Sequence, residues 1–139
     1  ATMEVVMQET SVVMEEEMPA EEPSPMQILA QGEFYDVAHH GQGTVTLYQL
    51  QDGSQVLRFE NFEVLNGPEL HVYLTSADPV EDTVGSLLPG GIDLGKLKGN
   101  IGDQNYELSA PLDLSKYKSV VIWCEPFRVS FSAALLVAP

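Results

Sequence analysis

At 139 residues, 44% of them hydrophobic and 8% aromatic, the chain is long enough for one domain with a real core and too short for two. Its 21 acidic residues face only six basic ones (Arg58, Lys96, Lys98, Lys116, Lys118, Arg128), and the resulting formal charge of -15 would repel a nucleic-acid duplex or an anionic membrane surface. A single cysteine excludes an internal disulfide, a zinc knuckle and a paired-thiol redox motif.

Residues 1–30 differ from the rest. All five methionines (Met3, Met7, Met14, Met18, Met26) lie there with seven glutamates and no Lys or Arg. Met3, Val6, Met7, Thr10, Val13, Met14 and Met18 recur at helical spacing with Glu4, Gln8, Ser11 and Glu15 opposite, so a short amphipathic helix competes with a solvated acidic leader. Pro19, Pro23 and Pro25 then make "MPAEEPSP" an extended linker. The expectation is an acidic Met/Glu/Pro-rich tether. Because thioether sulfur is a soft ligand suited to Cu(I), metal handling by this tail is a remote functional reading. No stretch approaches the roughly 20 apolar residues of a membrane helix. No basic segment followed by an apolar signal core opens the chain, so it is expected to be cytosolic or to have lost an export signal.

From Gly32 onward the hydrophobic period is two. "GTVTLYQL" (43–50) sets Val45 and Leu47 against Thr44, Thr46 and Tyr48, and Asp52-Gly53 then turns the chain into "QVLRF" (55–59), a hairpin. "ELHVYLT" (69–75) places Leu70, Val72 and Leu74 on one face and His71, Tyr73 and Thr75 on the other. In "SVVIWC" every position from Val120 to Cys124 is apolar, as in a strand covered on both faces: Val121 and Trp123 toward one layer, Val120, Ile122 and Cys124 toward the other. "FRVSFSA" (127–133) is expected to turn Phe127, Val129, Phe131 and Ala133 inward. Glycine and proline punctuate the intervals at Gly67-Pro68, Pro89-Gly90-Gly91, Gly95, Gly99 and Gly102. The fold class is therefore all-β: an antiparallel β-sandwich or barrel of about seven to ten short strands over residues 31–139. Its expected core is Phe34, Val45, Leu47, Phe59, Phe62, Val72, Leu74, Tyr106, Val121, Trp123, Phe127, Val129 and Phe131.

Few motifs carry chemistry. "GQG" (41–43) lacks the third glycine and following helix of a dinucleotide fingerprint, and "LGKLKGN" is not a phosphate loop. Three histidines, two of them the adjacent His39 and His40, assemble no Ser/His/Asp arrangement. A blue-copper site needs a His and usually a Met soon after its Cys, and neither follows Cys124. Covalent haem attachment needs CxxCH, which is absent. Noncovalent haem or a metal is compatible with the residues and not demanded by them, with Cys124, His71 and His40 as candidate ligands.

Several ordered blocks do stand out: "GPELHVYL" (67–74), "DLGKLKGNIGDQNYEL" (93–108), "YKSVVIWC" (117–124) and "FRVSFSAALL" (127–136), preceded by Gly32-x-Phe34, His40 and "ENF" (60–62). From about residue 31 to the C-terminus the chain resembles the DM-thirteen domain family. The resemblance implies an extracytoplasmic β-domain, found alone in exported bacterial proteins or beside DOMON and cytochrome b-type domains, with a proposed electron-transfer role around a cysteine matched here by Cys124. Ser132 stands where that family commonly has glycine, and Glu125-Pro126 replaces a more basic pair. A thiol is activated by nearby positive charge, so activation of Cys124 would have to come across the sheet from Arg128, Lys118, Arg58 or His71.

The resulting expectation is an extracytoplasmic redox module (secreted, periplasmic or cell-surface) with Cys124 as its redox thiol, no metal-site residues assigned, and its cofactor left unknown, a haem or a metal being compatible. It is not expected to be a self-contained enzyme. Its partner would be a redox protein or another extracellular protein; nucleic acid is not expected, and membrane contact would come only through a tether or anchor outside this chain. The competing reading is a noncatalytic binding or adhesion module in which Cys124 only packs, free cysteine being among the most buried residue types.

Overall fold

The computed structural model describes residues 11–18, 26–81 and 91–139. Nine strands follow in order: β1 (Val13–Glu15), β2 (Gln27–Asp36), β3 (Gly41–Gln49), β4 (Gln55–Val64), β5 (Leu70–Thr75), β6 (Ile92–Lys96), β7 (Ile101–Leu108), β8 (Ser119–Cys124) and β9 (Val129–Leu135). They form one sheet in the order β1-β7-β4-β3-β2-β9-β8-β5-β6, antiparallel throughout except for the parallel β1–β7 pair. Among the described residues there is no helix. The β3–β4 hairpin turns at Asp52-Gly53 as expected; Asp52 Oδ1 accepts from the Ser54 amide and hydroxyl at 3.0 and 2.6 Å, closing a local Asx turn.

Packing shows that the sheet is curled into a half-barrel. Leu57 of β4 and Tyr106 of β7 belong to the same buried cluster as Leu74 of β5 and Ile122 of β8, although β4 and β5 stand far apart in the strand order. Only curvature puts them around one interior. β6 and β7 are consecutive in the chain but near opposite ends of that order, so the crossing from Lys96 to Ile101 draws the two ends together, and the Lys98 amide donates to Tyr106 Oη at 2.8 Å. Bulges in β2, β3–β4, β4–β7 and β8–β9 supply local bends. A second, smaller cluster lies on the other face of the sheet, where Val121, Trp123 and Ala133 are covered by Val80, Ala77, Tyr35, Val37 and Tyr73.

Strand β8 is thus buried on both faces, and its side chains divide as its apolar run indicates: Val120, Ile122 and Cys124 enter the main core, Val121 and Trp123 the smaller one. Three expectations need correction. Phe127 is 55% exposed rather than buried, because residues 125–128 form the β8–β9 turn, closed by the Arg128 amide donating to the Cys124 carbonyl at 2.8 Å. The inward alternation over 127–133 is broken by a bulge between the Trp123–Ser130 and Ile122–Ser132 pairs, which sends Phe131 to the main core and Ala133 to the smaller one. Residues 11–18 contain strand β1, not a helix, and β2 begins at Gln27, ahead of the expected domain boundary at 31. The remaining turns of the helical pattern (1–10) and the prolines at 19, 23 and 25 lie outside the described residues.

Candidate functional site

Antiparallel pairing gathers four connections at one end of the half-barrel: 37–40, 65–69, 97–100 and 125–128. They are tied together. The Val37 and His39 amides donate to the Phe131 carbonyl at 3.2 and 3.0 Å, and the Glu125 amide donates to the Glu69 carbonyl at 3.0 Å. Cys124 closes β8 at this end, His71 lies at the start of β5, and His40 precedes β3, so all three candidate residues come to one end of the molecule. They do not meet on one face.

Cys124 is a free thiol with no exposed surface. Its strand neighbours are Leu70 on β5 and Val129 on β9, both packed in the main core. Gly67 of the β4–β5 connection caps this end: a Cβ there would lie 3.1 to 3.2 Å from the Phe131 ring and the Leu70 side chain. None of the four cations named from sequence is placed at the sulfur. Arg128 pairs with Glu125 at 3.0 Å and lies over the Trp123 ring at 5.7 Å, on the other face. Lys118 precedes β8 at its opposite end. The guanidinium of Arg58 is bound to Glu60, Asn105 and Asp103 beside β7.

His71 pairs with Trp123 across β5–β8 and therefore faces away from Cys124. Its Nε2 lies 2.9 Å from Glu69 Oε2, and its Nδ1 lies 3.1 Å from Asp93 Oδ1. Partial burial, the largest single influence, lowers the imidazole pKa. The two carboxylates together outweigh it and hold the pKa above its ordinary value of 6.5. Glu69 is correspondingly lowered, chiefly by its hydrogen bond to His71. A carboxylate on each ring nitrogen suits an imidazolium that donates twice. His40 is exposed, with Nδ1 3.1 Å from Asp36 and Nε2 3.2 Å from Gln42, and it borders an open cleft of about 460 Å³ with His39, Leu65 and Asn100.

A haem or metal ligand must present a free lone pair toward a space that holds the group. Both nitrogens of His71 and of His40 are engaged, Cys124 has no exposed surface, and the three residues do not converge. Among the described residues no group of three or more His, Cys, Asp or Glu is arranged to hold a metal ion. In this arrangement the donor set does not fit such a group.

Two features escaped sequence reasoning. Glu125 accepts from Trp123 Nε1 at 3.1 Å and from Arg128 Nη1 at 3.0 Å, so one carboxylate fixes the indole and the guanidinium stacked over it. The i, i+2 spacing of Trp123 and Glu125 was the available signal. Asp93, which completes the clasp on His71, comes from β6 and left no signal at all, since its position depends on strand pairing.

The geometry is that of a half-barrel β-domain whose one thiol is sealed in its core at the loop end, one residue from its one tryptophan. The family model described as electron transfer DM13 matches residues 33–136. The chain belongs to that family. No curated protein and no solved structure matches it.

Proposed function

We propose that this domain transfers electrons outside the cytoplasm, with Cys124 as its redox-active side chain and a redox protein as its partner. The observation that carries the reading is the junction at β8. Cys124 is sealed in the main core, and the neighbouring Trp123 faces the opposite side of the sheet under a guanidinium that reaches the surface. Burial prevents a second thiol from reaching the sulfur, so thiol–disulfide exchange is not the chemistry. An electron needs no such contact: the oxidised centre of the partner takes one electron from the thiol along the covalent path through one peptide unit to the indole, the S–H proton is released to solvent at the loop end, and the thiyl radical left behind is returned to the thiol by one electron and one proton from a reduced partner. The family resemblance is what supports the extracytoplasmic part of this reading.

Mediated voltammetry on the purified full chain tests this. A one-electron wave that disappears in Cys124→Ser while the β-sheet circular dichroism is kept supports the reading; an identical response in both proteins overturns it. The second outcome would favour a binding module in which the sulfur is packing material, a reading supported by the wholly apolar strand neighbours of Cys124.

A further inference from the structure

A different part of the molecule carries an inference independent of the electron-transfer reading. Strand β1 lies on the outer edge of β7 in parallel register, Val13 beside Ile101, Met14 beside Gly102 and Glu15 beside Asp103. Backbone bonds run from the Ile101 amide to the Val12 carbonyl at 3.2 Å and from the Glu16 amide to the Asp103 carbonyl at 3.0 Å. Side chains of the domain add clamps at both ends. Asn100, only 5% exposed and oriented by its donation to the Val64 carbonyl at 3.1 Å, accepts from the Val12 amide at 2.8 Å. Lys98 Nζ and the Asn105 amide both donate to Glu16 Oε1, at 2.8 and 3.0 Å, and Asn105 Nδ2 donates to the Glu17 carbonyl at 2.9 Å. Burial of Glu16 is the largest influence on its carboxyl and raises its pKa; these donors and the Lys98 charge reverse that and hold it below the ordinary range.

The floor of the edge is shaped for this occupant. A Cβ on Gly99 would come within 2.6 Å of the Met14 Cγ and the Val12 carbonyl oxygen, and one on Gly102 would collide with the Met14 carbonyl. Gly102 also has a φ of 106°, whereas Gly99 has no glycine-only backbone angle, so at Gly99 the steric demand points to the docked strand alone. The groove residues lie inside the matched domain, 33–136, and the strand lies outside it. The strand itself buries little: Val12, Val13 and Met18 are 46%, 60% and 40% exposed. It is held by directional bonds at a sheet edge, the kind of unit that opens locally at small cost.

We propose that the outer edge of β7, with Lys98, Gly99, Asn100, Gly102 and Asn105, is a strand-accepting groove for an extended acidic segment, and that it takes residues 11–17 from a second copy of this chain as well as from its own. Exchange of an identical element reproduces every contact of the intramolecular form, which makes it a low-cost route to a dimer. The charge of -15 on each copy opposes the encounter, so the exchange belongs at physiological ionic strength, where exposed charges more than about 8 Å apart are largely screened.

Two full-length variants separate donor from acceptor. Gly99→Val closes the groove and leaves the strand free to be donated; Glu16→Lys sets a like charge against Lys98 and leaves the groove open. Native mass spectrometry should show each alone as a monomer and a 1:1 heterodimer on mixing, lost when the Gly99→Val chain also carries Glu16→Lys. Gly99→Ala, whose Cβ meets the same atoms, replaces Gly99→Val should the larger side chain disturb folding, with circular dichroism as the check. Monomers only in the mixture, or association that ignores Glu16→Lys in the donor, would overturn the proposal.

Discussion

Along β8 alternate side chains enter two unlike environments. Cys124 and Ile122 point into the main core, where the strand neighbours of the sulfur are Leu70 and Val129. Trp123 points to the other face, where it is as deeply buried but is bonded to Glu125, stacked under Arg128 and placed opposite the Glu69–His71–Asp93 clasp. Burial alone therefore says little about chemistry at this site. One face excludes charge, and the other collects it at its margin, where partly exposed carboxylates keep their solvation and still hold a cation.

The largest effect expected from disturbing this contrast is at the indole. Trp123→Ala should cost about 3–5 kcal/mol by urea unfolding, since it removes the bulk of the smaller core and leaves a cavity beneath Val80 and Tyr73. A loss below about 1 kcal/mol would mean that the outer face is loosely covered and the two environments are not equally sealed. Next in size is Cys124→Ser, which places a hydroxyl among apolar neighbours and should cost about 1–3 kcal/mol in the same assay. A cost larger than that of Trp123→Ala would show that the sulfur does more than occupy space in its pocket.

The smallest effect concerns the clasp, and it sharpens the comparison through pH. The pKa of His71 is raised on folding, so its contribution to stability is full below the unfolded value near 6.5 and is lost as pH rises through the folded value. His71→Gln should therefore lower the melting temperature by a few degrees at most in mildly acidic buffer, and the gap to the parent should close in alkaline buffer. A gap that is constant with pH would mean that the clasp stabilises by packing and not by charge.

Much of the fold was legible because a strand's period of two is written directly into its residues. The faces of β5 and β8 and the hairpin at Asp52-Gly53 follow from local alternation and turn chemistry, and so does the sharing of one face by Cys124, Ile122 and Val120. Local patterns fail where the period is interrupted. Phe127 fitted the alternation of "FRVSFSA", but a turn closed at Arg128 and a bulge at Phe131 took precedence, so Phe127 faces solvent and Ala133 lies on the other side of the sheet from Phe131. In residues 11–18 the helical spacing of apolar side chains yielded to an open strand edge with donors waiting on β7.

By itself the sequence determined the class of domain and its strand content, and it put forward Cys124 as the residue on which a redox role would centre. Tertiary structure decided what surrounds that residue. The cations that could have activated the thiol, Arg128 in the β8–β9 turn and His71 on β5, lie on the opposite face, and Asp93 reaches His71 only because β6 pairs with β5. Alternation tells which side of a strand a residue faces, but the composition of that side is assembled from segments far apart in the chain, and their pairing is set by how the whole sheet curls.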